Sequence, residues 1–185
     1  MIQSKADLKE YLAADMAFYQ KYSRYDRLIA CLTQDPIYLV HKYVRILRWE
    51  EYFANARTDF FGKLAYLYCF RRKNVLGNRL GFKIPKNCFG PGLAIYHHGC
   101  IIVNEDARIG KNCRLHGNNC IGNSGKTNAV PVIGDDLDMG FGAVVIGGLQ
   151  LGNNITLGSN AVVVHSCAED DVTLVGIPAK RTIRR

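Results

Sequence analysis

Several features are missing from this 185-residue sequence, and each absence excludes a class of protein. No run of about 18 apolar residues occurs, so no transmembrane helix is predicted. The segment from Met1 to Lys5 lacks the apolar core of a signal peptide. The seven cysteines are an odd number without a Cys-x-x-Cys pair, which favours reduced thiols. Together these absences predict a cytoplasmic protein.

Charge is distributed unevenly between the two halves of the chain. Residues 1–88 contain 16 Lys and Arg against 8 Asp and Glu, whereas residues 89–185 contain 8 of each. A basic module of this kind indicates an anionic partner, either a phosphorylated substrate or an anionic membrane surface bound peripherally. The alternative is a solvated basic face. We expect no nucleic-acid partner, because no recognition motif accompanies the charge.

An apolar residue recurs every six positions in the second half of the chain. The positions are Val103, Ile109, Leu115, Ile121, Ile133, Met139, Val145, Leu151, Leu157 and Val163. A period of six fits neither a helix nor a single strand, but it fits a solenoid in which three short strands form one coil. Gly follows six of the ten, and pairs such as Asn153-Asn154 tolerate tight turns. The pattern is typical of a left-handed parallel β-helix built from hexapeptide repeats.

The six-residue spacing is broken in two places. Ile95 and Val103 are eight residues apart, so two residues are inserted within Tyr96–Cys100. Between Ile121 and Ile133, the polar segment 123–132 contains Gly and Pro and predicts an extruded loop. Loops on a rigid scaffold often carry function, so both breaks mark candidate sites.

The N-terminal part has helical spacing. A first helix is predicted over residues 4–22 with Ser4 as its cap, and Asp35-Pro36 predicts the start of a second. A third is predicted to begin near Thr58 or Asp59 and to end in Arg71-Arg72-Lys73. We therefore divide the chain into an N-terminal α-helical subdomain (1–80), a left-handed β-helix (81–165) and a C-terminal tail packed on the β-helix (166–185).

The segment from Gly92 to Val103, which includes Tyr96-His97-His98-Gly99, resembles the active-site segment of serine acetyltransferases. It is most similar to the serine acetyltransferase-like O-acetyltransferases associated with bacterial surface polysaccharides. The loop Asn123-Ser124-Gly125-Lys126 and the tail Gly176–Lys180 fit the same family. The resemblance covers about residues 80–182. It implies transfer of acetyl from acetyl-CoA to a hydroxyl, without a metal, in a homotrimer whose active sites lie between chains.

The resemblance assigns the general base to His97. A hydroxyl is a weak nucleophile at neutral pH, and an imidazole that titrates near neutrality can take its proton during attack. His98, His116 and Glu105 are candidates for the acceptor side of the site. Glu105 or its neighbour Asp106 could also orient the His97 ring.

The same resemblance places coenzyme A in a groove between coils of neighbouring subunits. The candidate CoA-binding residues are Asn123, Ser124, Lys126, Phe141, Gly142, Gly158, Ser159 and Lys180. Small residues beside the Gly corners would let the pantetheine arm approach the backbone, and the two lysines suit its phosphates. Phe141 departs from the family, which often has Ala there.

Two further departures concern the acceptor. Serine acetyltransferases carry an Asp-Ile-His-Pro motif whose Asp orients the catalytic His, and Phe82-Lys83-Ile84-Pro85 stands in its place. Their Arg-His-Pro motif, which contributes to serine binding, is replaced by Ala129-Val130-Pro131. Both losses favour a small-molecule or glycan acceptor other than serine, such as a sugar of a surface-polysaccharide precursor.

Three alternatives remain open from the sequence. One is a serine O-acetyltransferase of cysteine biosynthesis. Another is an inactive scaffold or binding module. The third is a metal-binding solenoid, since γ-type carbonic anhydrases share this architecture and bind metal through three His from two subunits.

Overall fold

The computed structural model describes residues 1–19 and 23–182. Four helices precede the strands, and they are α1 (Lys5–Met16), α2 (Arg24–Thr33), α3 (Pro36–Ala56) and α4 (Phe60–Leu80). Within the described residues, none of these helices is both long and apolar enough to cross a membrane.

Fourteen short strands follow the helices within the described part of the chain. They are β1 (Phe82–Lys83), β2 (Ala94–Ile95), β3 (Ile101–Val103), β4 (Arg108–Ile109), β5 (Arg114–Leu115), β6 (Cys120–Gly122), β7 (Val132–Ile133), β8 (Asp138–Met139), β9 (Val144–Ile146), β10 (Gln150–Leu151), β11 (Thr156–Leu157), β12 (Val162–Val163), β13 (Thr173–Val175) and β14 (Lys180–Arg181).

The strands form three parallel sheets that run along a prism. The first sheet has the order β1-β3-β6-β9-β12, the second β4-β7-β10, and the third β2-β5-β8-β11-β13. Each coil gives one strand to each sheet, so residues 18 positions apart pair directly, as Met139 does with Leu157. The apolar hexad residues point inward and are buried along the whole prism. The repeat predicted from the sequence is therefore present as a stack of coils.

The two predicted register breaks fall at corners of the coils. Ile95 pairs with Leu115, which is 20 residues further on, so two extra residues lie between β2 and β3. Leu115 pairs with Met139, which is 24 residues further on, and the extra residues form the loop between β6 and β7. Insertions at corners leave the stacked strands in register.

One corner of the prism is turned by Asn and Asp in the left-handed conformation. Asn112, Asp136, Asn154 and Asp171 have φ values of 56°, 59°, 52° and 59°. The Asn112 amide donates to Asp136 Oδ1 at 3.0 Å, and the Asn154 amide donates to Asp171 Oδ1 at 2.6 Å. These residues tolerate the turn and also bond one coil to the next.

The helical subdomain differs from the prediction in three ways. The first helix ends at Met16, and residues 20–22 of the predicted span lie outside the described residues. A separate helix, α2, was not predicted, although Ser23 and Asp26 form the same capping box as Ser4 and Asp7. The third predicted helix does not end at Lys73; it continues to Leu80.

The extension of α4 to Leu80 has a clear physical cause. Lys73 is buried, and its ammonium pairs with Glu50 at 2.8 Å and donates to the Ile84 carbonyl at 3.2 Å. It therefore joins α4 to α3 and to the first coil instead of ending the helix. Gly81 ends it in the left-handed conformation (φ 81°).

The parallel pairing continues beyond residue 165, where the sequence placed the end of the β-helix. Leu151 bridges Cys167, and β11 pairs in parallel with β13. The chain then reverses, and β14 pairs with β13 in the antiparallel direction. The tail is thus partly a further coil. All seven cysteines are free thiols.

A buried arginine fastens the helices to the β-helix. Arg48 on α3 is fully buried, and its guanidinium bonds to Asp15 of α1 at 2.8 Å and to Glu51 at 3.0 Å. It also donates to the carbonyls of Phe89 and Gly90 at 3.0 and 2.7 Å. Asp15 in turn accepts the N–H of Leu93 at 2.8 Å. The network joins α1, α3 and the first coil.

Replacing Arg48 should destabilise the protein strongly. Arg48→Ala leaves two buried carboxylates without a counter-charge, so we expect the free energy of unfolding to fall by about 3–5 kcal/mol. The matched control is Arg57→Ala, because Arg57 pairs with Asp59 at the exposed surface. Urea unfolding followed by circular dichroism measures both variants. Equal midpoints for the two variants would contradict the anchoring role of Arg48.

Candidate active site

Two edges of the prism carry the residues that the sequence singled out. We call the corners between the third and first sheets the histidine edge; it comprises residues 96–100, 116–119, 140–143 and 158–161. The corners between the first and second sheets form the loop edge, which comprises residues 104–107, 123–131 and 147–149. Strands of the first sheet are two or three residues long, so the two edges lie about 10 Å apart.

Stacking brings His97 close to residues that are distant in sequence. A Cβ placed on Gly117 would lie 3.6 Å from the Cβ of His97 and 3.3 Å from the Phe141 ring. Gly117 has φ 118°, which other residues rarely adopt. The close approach of His97 and Phe141 thus depends on a glycine between them. His97, His98 and Phe141 are all exposed at this edge.

His116 is the oriented histidine at this edge. Its Nε2 lies 2.9 Å from Oδ1 of Asp138 on the next coil, and its ring packs on Tyr96 with centroids 4.7 Å apart. Asp138 also pairs with Arg114 at 3.3 Å. A carboxylate only accepts hydrogen bonds, so neutral His116 carries its proton on Nε2 and exposes Nδ1 as an acceptor.

His97 has no such partner within the described residues of one chain. The expectation that Glu105 or Asp106 orients it finds no contact to support it, because both lie on the loop edge. The Glu105 carbonyl instead accepts from Arg108 at 2.9 Å. At the position of the family's orienting Asp, Phe82 is buried and meets Tyr43 edge-on at 5.1 Å.

The candidate CoA residues divide between the two edges. Phe141, Gly142, Gly158 and Ser159 stack on the histidine edge, and Lys180 follows the next corner of the same column. Asn123, Ser124 and Lys126 lie on the loop edge, where Lys126 is exposed. A single chain therefore does not bring the two groups together.

The outer face of the first sheet, which joins the two edges, is apolar. Ile102, Cys120, Val144 and Val162 are in register across β3, β6, β9 and β12, and their side chains point away from the core. Ile102 is 43 % exposed. The outer positions of the other sheets are mostly polar or charged, for example Arg108 and Gln150. A flat apolar sheet face of this kind indicates a protein contact.

Acid–base chemistry at this site would rest on histidine, since the thiols are poor nucleophiles. Burial raises the pKa of Cys113 far above its usual range, and that of Cys88 to about 12. Within residues 1–19 and 23–182, no cluster of three His, Cys, Asp or Glu side chains is arranged to hold a metal.

Comparisons with known proteins agree with this architecture. No protein-family model matches the chain. A serine acetyltransferase from Synechococcus elongatus is 31% identical over 98 residues, which is 52% of this chain and 40% of that protein. The soybean serine acetyltransferase complexed with serine superimposes with a TM-score of 0.70 at 21% identity, covering 96% of this chain and 70% of that one. The chain is serine acetyltransferase-like.

A second solved structure extends the comparison. The serine acetyltransferase of Brucella abortus strain S19 in complex with coenzyme A gives a TM-score of 0.65 at 19% identity, covering 95% of this chain and 66% of that one. These neighbours confirm the prediction of a left-handed β-helix preceded by helices. The chain spans less than half the length of the curated relatives it matches.

Sequence reasoning missed Asp138. It lies 22 residues from His116, and only the 24-residue coil that contains the loop places them on neighbouring strands. The signal that could have found it is the alignment of β5 with β8 once the loop is removed from the register.

The role of Asp138 can be tested by NMR. In Asp138→Asn the side-chain amide can donate to Nε2 of His116, so we expect the tautomer to shift from Nε2–H towards Nδ1–H. The ¹⁵N shifts of the His116 ring, recorded above the pH at which it titrates, report the tautomer directly. Exposed His165 is the internal control. Identical His116 shifts in the parent and the variant would show that Asp138 does not orient the ring.

Proposed function

We propose that the protein is an acetyl-CoA-dependent O-acetyltransferase whose active site forms at the histidine edge. The observation that carries the proposal is the convergence of His97, oriented His116 and Phe141 at the corner where two residues are inserted. The similarity to serine acetyltransferases, including one solved in complex with coenzyme A, supports acetyl-CoA as the co-substrate.

In the proposed reaction, His97 is the general base. Its imidazole removes the proton of the acceptor hydroxyl as that oxygen attacks the thioester carbonyl carbon of acetyl-CoA. A backbone N–H of a neighbouring coil stabilises the tetrahedral oxyanion. Collapse of the intermediate breaks the carbon–sulfur bond, and the imidazolium returns the proton to the CoA thiolate. His116 contacts the acceptor through Nδ1, which its bond to Asp138 leaves available.

L-serine is the acceptor that the comparisons favour, and it was the alternative acceptor in the sequence analysis. The relatives and the structural neighbours are serine acetyltransferases, and one neighbour was solved complexed with serine. A sugar hydroxyl is the second candidate. Its support is the apolar Phe82 in place of a carboxylate, together with Ala129-Val130 in place of Arg-His.

The proposed assembly is a homotrimer. Packing the apolar outer face of the first sheet against neighbouring copies would bury Ile102 and Val144. It would also bring the loop edge of one copy towards the histidine edge of the next. The two groups of candidate CoA residues would then meet between chains.

Removing His97 should abolish most of the transfer activity. We expect His97→Ala to reduce CoA-thiol release by at least about a hundredfold, because no other group would take the hydroxyl proton. The assay uses acetyl-CoA with L-serine and, separately, a panel of sugars. The matched control is His165→Ala, since His165 is exposed and lies beyond β12.

The same assay separates the two histidines of the site. His116→Ala should raise the KM for the acceptor more than it lowers kcat. Parent-like turnover by His97→Ala together with a hundredfold loss in His116→Ala would transfer the general-base role to His116.

Oligomeric state provides an independent test. Val144→Asp places a charge on the apolar face and should convert a trimer to monomers with loss of transfer activity. Gln150→Asp adds the same charge to the outer face of the second sheet and should leave the trimer intact. Light scattering gives the mass of each variant. A monomeric parent protein would refute the assembly.

A further inference from the structure

A large cavity in the helical subdomain is not used by the proposed reaction. It has a volume of about 710 Å³ and lies between α1, α2 and α3. Tyr19 lines it, and the Tyr19 hydroxyl accepts the Ile95 N–H at 3.0 Å, so the cavity adjoins the strand that leads to His97. The opening is formed partly by α2, of which Ala30 is the buried residue.

The charge lining this cavity is entirely positive. Arg27, Lys42 and Arg45 contribute to the wall, and none of the ten lining residues is Asp or Glu. No ion pair joins these three cations to a carboxylate of residues 1–19 or 23–182. Burial lowers the pKa of His41 in the same wall, and repulsion from Arg45 and Arg27 lowers it further. A site with this charge favours an anion.

The type of side chain narrows the class of anion. Two guanidinium groups and one ammonium supply many donors with little competition from protein acceptors. Arginine presents paired donors that match the oxygens of a phosphate, and lysine adds a compact charge. A phosphate group satisfies this set better than a halide or a single carboxylate.

The rest of the wall is apolar, which a free phosphate ion would not use. Leu12, Met16, Ile46 and Trp49 line the cavity beside the cations. Ile46 and Trp49 are shared with a neighbouring cavity of about 410 Å³, whose wall includes Phe53 and Tyr68. The two cavities form one groove along α3 that is cationic at one end and aromatic along its length.

The adjacent surface of α2 is also suited to apolar contact. Tyr25, Leu28 and Leu32 are exposed, with Leu32 at 70 %. Arg27 lies on the same helix and lines the cavity. An apolar chain leaving the groove would therefore meet further apolar surface.

We propose that this groove binds a phosphate ester that carries a long apolar chain. Arg27, Lys42 and Arg45 hold the phosphate, and the chain lies along Ile46, Trp49 and Phe53. The ligand is either a lipid phosphate bound singly or the headgroup of an anionic lipid in a membrane. The binding is independent of acetyl transfer, so it can be tested without an acceptor.

Trp49 makes the test direct, because it is the single tryptophan of the chain and is 38 % exposed in the groove. Dodecyl phosphate below its micelle concentration should change Trp49 fluorescence in a saturable way. Inorganic phosphate, dodecyl maltoside and dodecyltrimethylammonium each lack one of the two required features and should bind much more weakly.

Charge variants assign the phosphate contact. The triple variant Arg27→Gln, Lys42→Gln, Arg45→Gln should weaken dodecyl phosphate binding by at least about tenfold. The matched control replaces the exposed Lys5, Lys9 and Lys63, which do not line the groove, and should bind like the parent. Thermal unfolding of both variants checks that the fold is kept. Equal affinity in the two triple variants would overturn the proposal.

Vesicles distinguish the two sources of ligand. Co-sedimentation with vesicles containing phosphatidic acid, and not with pure phosphatidylcholine, would support a membrane headgroup. Binding of dodecyl phosphate without co-sedimentation would support a single lipid phosphate. An unchanged Trp49 spectrum overturns the proposal. A change that follows dissociation of the oligomer does so too, because a second copy of the chain would then fill the groove.

Discussion

In-register stacking of the coils is the constraint on which the rest of the structure depends. Each strand of two or three residues is too short to be stable alone, and it gains its hydrogen bonds from the coil before and the coil after it. Apolar residues 18 positions apart must therefore lie one above another, as Val145 and Val163 do. Extra residues are tolerated only where strands do not pair, so the two insertions lie at corners.

The same constraint builds the candidate site. Corners of successive coils form columns, and the column between the third and first sheets contains His97, Gly117 and Phe141. The residues come from three coils and do not share a local motif. Arg48 then holds the helices against the first coil, so Tyr19 reaches Ile95 beside this column. A rigid prism thus positions side chains from both subdomains.

The sequence predicted the β-helix because its period is strict, and the insertions because they break that period. It could not predict contacts set by the size of an insertion, and the pair of His116 and Asp138 is such a contact. Helix ends were predicted less well, since Lys73 resembles a C-terminal cation until its burial against Glu50 is known. The coil that contains β13 was missed because Cys167 interrupts the aliphatic hexads.

The most direct test is to map where acetyl-CoA binds, by hydrogen exchange of the parent protein with and without saturating acetyl-CoA. The account predicts slower exchange in residues 96–100, 140–143 and 158–161 on the histidine edge, together with the loop 123–131. The α2 and α4 helices should be unaffected. No protection at the histidine edge, or protection confined to the outer face of the second sheet around Arg108 and Gln150, would contradict it.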